Sequence, residues 1–152
     1  MPLPKRTTWF FVIDKAKARI IESAGVKSGW DLIEEWVDEA ARSPARDLER
    51  DRPPRGRISG TGEPFAIDAR KSEHDKAGEA FLSARACDLE EAVKNNRFDQ
   101  LVIAAPPGAL GVLRKRLHAD VTAKIIGVFD KDLTNETDHD LHAYFVDKLE
   151  HW

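Results

Sequence analysis

Residues 9–13, Trp-Phe-Phe-Val-Ile, are apolar at every position, so no alternation leaves one side for water. Such a run predicts a strand covered on both faces. A short hairpin-like link, Asp14 to Lys17, leads into a second strand over 18–23. Gly25 and Gly29 mark the next turn. Residues 30–37 then read as a third strand, with Trp30, Leu32 and Trp36 on one face and Ile33 and Val37 on the other. Three strands so closely spaced predict an antiparallel meander.

The period changes in the second half. Over 73–96, Gly78, Phe81, Leu82, Leu89, Ala92 and Val93 recur at helical spacing, with Glu79, Ser83, Glu90 and Lys94 opposite. Arg85 falls in the middle of the inward face, where it needs a carboxylate partner or a route to the sheet margin. Residues 101–105 form a short continuous apolar strand. A helix over 109–118 follows, with Leu110, Leu113 and Leu117 inward. Residues 125–129 read as another buried strand. A last helix over 137–150 carries Leu141, Tyr144, Phe145 and Leu149 on one face, with Trp152 beyond. Strand-helix-strand-helix at these lengths calls for parallel pairing. The expected fold is a single α/β domain over 1–152 with a ribonuclease-H-like, five-stranded mixed sheet, its first strand central.

Residues 38–72 break this grammar, since some 35 residues without a clear period are unusual inside a compact domain. Residues 40–48 could form a short helix broken by Pro44. Prolines, glycines and charges dominate residues 43–64, with Leu48 and Ile58 as the few apolar anchors there. Burial cannot offset the ordering entropy of such a segment, so it is expected to be a mobile loop.

Charge adds polarity to the picture. The net charge is −3, yet residues 1–19 hold Lys5, Arg6, Lys15, Lys17 and Arg19 against Asp14 alone. From Val128 onward seven acids face two lysines. Arg50, Arg52, Arg55 and Arg57, with Gly56, Gly60 and Gly62 to let the backbone adapt, make a candidate polyanion-binding loop. Asp47, Glu49 and Asp51 could instead neutralise the run as a solvated, self-paired surface. Gly108 and Gly111 follow a strand's carboxyl end at a helix start, a possible anion site. The bland reading there is a tight Pro-Pro-Gly turn, with Gly111 allowing close helix–sheet packing.

Catalytic chemistry finds little footing. Cys87 is the single cysteine, so no intrachain disulfide forms, and with no base nearby in sequence it reads as a spectator thiol. Asp14, Asp130 and Asp132 follow strands, but the first strand itself supplies no carboxylate for a two-metal centre. His139 and His142 with Asp138 and Asp140, and His74 beside Glu73 and Asp75, suit helix starts better than metal sites. No catalytic residue, cofactor or metal ligand is assigned. The basic N-terminus is followed by no apolar targeting core, and no apolar run approaches a membrane span, so the expected location is cytoplasmic.

Three segments carry a family resemblance: WFFVIDKAKARI near the start, ERDRPPRGR in the loop, and LVIAAPPGALGVLRKRL followed by VFDKDLTN. In order and spacing the chain resembles the bacterial host attachment proteins, small relatives of the central domain of archaeal and eukaryotic class-1 release factors. The resemblance implies a ribonuclease-H-like layout and a role in attachment to host cells. Those release factors carry a Gly-Gly-Gln tripeptide after the third strand. The corresponding loop here, Arg-Gly-Arg-Ile-Ser-Gly-Thr-Gly-Glu over 55–63, has no paired glycines and no glutamine. Gln100, the chain's single glutamine, opens a strand instead, so release activity by that route is not implied. What remains is a loop suited to RNA or the ribosome. Docking on an acidic protein partner and a hydrolase or nuclease activity stand as alternatives.

Overall fold

Strand β1, Thr8–Ile13, is buried at all six positions. The computed structural model describes residues 6–39 and 63–152, and for 63–74 the backbone alone. The strands that follow are β2, Lys17–Ser23, and β3, Asp31–Val37, then β4, Gln100–Ala104, and β5, Ile125–Phe129. Around them lie α1, Glu63–Lys94, α2, Pro107–Arg116, α3, Ala119–Thr122, and α4, Asp138–Leu149. The sheet order is β3-β2-β1-β4-β5. β2 runs antiparallel to both β1 and β3, while β1, β4 and β5 are parallel. This is the ribonuclease-H-like sheet expected from the sequence, with β1 at its centre.

Alternation along β1 divides the core in two. Trp9, Phe11 and Ile13 join Phe81, Leu82 and Leu89 of α1 and Leu110 and Leu113 of α2. Phe10 and Val12 point the other way, against Leu141 and Phe145 of α4. Phe10 lies within 4.6–4.9 Å, between ring centroids, of Trp30, Phe145 and Trp152. Burying both faces of β1 therefore requires helices on both sides of the sheet.

The structure departs from the sequence expectation in five places. Helix α1 begins at Glu63, ten residues before the expected 73, so 63–72 belong to a helix and not to the loop. Helix α2 starts at Pro107, because proline suits a first helical position where its missing N–H costs nothing. The single turn α3 was not foreseen; His118 caps it, its Nδ1 accepting from the Asp120 amide at 3.0 Å. In β3 the register skips Ile33 opposite Ile20 and Ile21, a bulge that breaks the alternation. Trp36 consequently packs with Ile33 on the α1 side, while Trp30 joins the α4 side. Finally, β5 is an edge strand with Ile126 41% and Val128 36% exposed, not a fully buried one. The expected helix at 40–48 and the rest of the 40–62 loop lie outside the described residues.

Arg19 ties β2 to the α4 layer. Its guanidinium donates to the Glu136 carbonyl at 2.6 Å and to the Asp138 carboxylate, and Glu35 of β3 lies 3.6 Å away. Arg85 resolves as a margin-dwelling side chain. It donates to Asp88 at 2.6 Å and spreads over the Trp36 ring at 4.6 Å, covering the β3 end of the core.

Phe10 provides the direct test of the two-faced strand. Replacing it with alanine removes the ring that Trp30, Phe145 and Trp152 surround, and is expected to cost about 3–5 kcal/mol in urea unfolding. A loss under about 1 kcal/mol would mean that this side of the sheet is loosely packed.

Candidate functional site

Parallel pairing brings the carboxyl ends of β1, β4 and β5 to one rim, the usual position of ligand sites in such sheets. Asp14 closes β1 there. One of its oxygens, Oδ1, accepts from the amides of Ala16 and Lys17 at 2.8 and 2.7 Å, which shapes the tight link to β2. The other, Oδ2, lies 3.0 Å from the Thr134 hydroxyl. That hydroxyl is also 2.7 Å from Asp132 Oδ1, which accepts the Thr134 amide at 3.0 Å. Thr134 is almost fully buried, and a hydroxyl carries one proton, so it can donate to only one of the two carboxylates at a time. The arrangement staples the β1 turn to the segment after β5.

Beside this staple a cleft of about 380 Å³ is lined by Asp14, Lys15, Ala16, Pro106, Gly108 and Ala109. Lys15 crosses its wall. Its stem rests on Gly78 of α1, where an added Cβ would come within 3.1 Å of the Lys15 Cβ, and glycine makes that approach possible. Its ammonium lies 4.0 Å from Asp75, with nearly half the side chain exposed. The first turn of α2 has no side-chain cap and no acidic residue. The amides of Gly108 and Ala109 thus lie at the positive end of a ten-residue helix. The cleft lining itself is largely apolar, with Asp14 and Lys15 as its charged residues.

Of the two glycines expected to form an anion site, Gly108 lines the cleft and Gly111 does not. Gly111 is exposed one turn further on, and a Cβ there would meet nothing within 4 Å. Close helix–sheet packing is therefore not its role. Arg50, Arg52, Arg55 and Arg57, with Gly56, Gly60 and Gly62, lie outside the described residues. The chain enters that segment from beside the cleft: the Asp38 amide donates to the Ala16 carbonyl at 2.7 Å. The sequence pattern put Gly78 on the inward face of a helix and Lys15 among the basic residues of the first nineteen, but marked neither of them, nor Thr134, as a site residue. Lys15 had one legible signal, its place just past a buried strand whose carboxyl end faces the rim.

The remaining candidates have structural duties. His142 contacts the Val26 carbonyl at 3.3 Å and packs on Trp30, while His139 and Cys87 are exposed. Asp130 is exposed and stands apart from the Asp14–Thr134–Asp132 staple. Among the described residues no group of three or more His, Cys, Asp or Glu side chains is placed to hold a metal ion. No helix among them is long and apolar enough to cross a membrane.

Fold and rim together define a ribonuclease-H-like α/β protein with an open cleft at the carboxyl ends of its parallel strands. Residues 9–145 match the model of a family described as protein required for attachment to host cells, and the chain belongs to that family. No curated protein matches the chain.

Thr134→Val keeps the shape and removes the shared hydroxyl. The expected loss is about 1–3 kcal/mol in chemical denaturation, because the one hydroxyl proton shared between Asp14 and Asp132 is removed from a half-buried site. An unchanged midpoint would show that water replaces the hydroxyl at no cost.

Proposed function

We propose that this protein acts by binding rather than by catalysis, and that its ligand is RNA, including RNA of the translation apparatus. Arg50, Arg52, Arg55 and Arg57 contact phosphates, and Gly56, Gly60 and Gly62 let the segment follow a backbone of varying shape. The observation that carries the reading is four arginines within eight residues of a chain whose net charge is −3. A second supports it: the chain passes into that segment next to the cleft formed by Lys15 and the start of α2. Phosphates held by the arginines could extend to the ammonium and helix amides there. Effects on attachment to host cells follow from that binding as a consequence in the organism. The hydrolase reading lacks comparable support, since one oxygen of Asp14 is taken up by the turn amides and, among the described residues, no carboxylate cluster is placed to hold a metal ion.

Replacing Arg50, Arg52, Arg55 and Arg57 with alanine should leave the thermal midpoint nearly unchanged. RNA binding, followed by fluorescence anisotropy across a salt series, should weaken. The slope of log K against log salt should flatten by roughly 3, at about 0.7 per lost contact to a single strand. Lys15→Ala should flatten it by up to about 0.7 more. Wild-type protein that ignores RNA, or a quadruple variant that binds as before, would remove the RNA reading and favour an acidic protein partner. A large drop in midpoint would make the arginines structural ion-pair partners.

A further inference from the structure

The two edges of the sheet are built differently. β3 carries Asp31, Glu34 and Glu35 within seven residues and is bulged at Ile33, both of which discourage another strand from pairing there. β5 carries no charge from Ile125 to Phe129, and Ile126 and Val128 are the exposed apolar side chains on it. Ile126 is skipped in the register with β4, and among the described residues no strand pairs with the outer edge of β5. An apolar edge of this kind invites strand addition.

The residues around the strand indicate which strand fits. The sequence Lys124-Ile-Ile-Gly-Val-Phe-Asp130 has opposite charges equidistant from Gly127. Antiparallel pairing with a second copy about a two-fold axis at Gly127 sets Ile126 opposite Val128 and Ile125 opposite Phe129. It also sets Lys124 of each chain opposite Asp130 of the other. Neither charged side chain has an ion-pair partner among the described residues, so both are available. Gly127 places no side chain on the axis; a Cβ there would press within 3.2 Å of Leu149. We infer that β5 is a self-complementary interaction surface through which two copies of this chain pair antiparallel, joining their sheets into one of ten strands. The contact is isologous, with each apolar pair and each ion pair formed twice. A five-residue strand interrupted by a bulge gives a short ladder, so the dimer belongs with small, reversible interfaces.

Sedimentation of the full chain at low salt, from about 1 to about 100 µM, should show a monomer–dimer equilibrium in the micromolar range. Lys124→Asp and Asp130→Lys each set like charges opposite one another and should weaken self-association at least about tenfold. Mixed in equal amounts, the two variants should form a heterodimer, because one then carries two acids and the other two lysines. Val128→Lys should yield a folded monomer by circular dichroism. Should any variant fail to fold, the remaining ones and the mixing experiment decide the matter. A wild-type chain that stays monomeric throughout the range overturns the inference. So does a dimer indifferent to both charge reversals, or a mixture that regains no association.

Discussion

The burial of β1 on both faces is the constraint from which the other elements take their places. Its alternate side chains, Trp9, Phe11 and Ile13 against Phe10 and Val12, must all leave water. One helical layer can cover only one of these sets, so α1 and α2 take one side and α4 the other. The strand must also be flanked laterally, because an unpaired backbone in the core would be costly. β2 supplies an antiparallel neighbour through a tight turn, and β4 a parallel one after the long helix α1.

That arrangement creates the rim. Parallel strands place Asp14, Pro106 and Asp130 at one end of the sheet, and the turns leaving it cannot continue the ladder. Asp14 satisfies the β1–β2 turn amides and, through Thr134, anchors the segment after β5. The rim thus has an acidic, hydrogen-bonded side and a basic side, where Lys15 lies between α1 and the start of α2.

Arginine serves two separate ends in the folded body. Arg19, in β2, is buried, and its two terminal nitrogens donate to the Glu136 carbonyl and the Asp138 carboxylate while Glu35 lies alongside, so it fastens the sheet to the α4 layer. Arg85 is held by Asp88 and two aromatic rings at the sheet margin, where its stem covers apolar surface and its head stays near water. Residue type alone does not separate a binding arginine from a fastening one; the number and origin of its partners do.

Local pattern was enough for the elements whose burial is uniform. The five apolar residues from Trp9 imply a central strand, and the 3.6-residue spacing of Phe81, Leu82 and Leu89 implies a helix facing it. The resulting order of strands and helices leaves few topologies open, which is why the sheet was legible. The arginine and glycine cluster was legible too, but as composition, which carries no geometry. Tertiary structure decided what depends on neighbours distant in sequence. It placed β5 at an edge, since an apolar run reads the same whether one or two strands flank it. It split Trp30 from Trp36 by a bulge that no period reveals. It joined Thr134 to Asp14 across 120 positions and laid Lys15 on Gly78, because hydrogen bonding and close packing act through space between segments the chain keeps far apart.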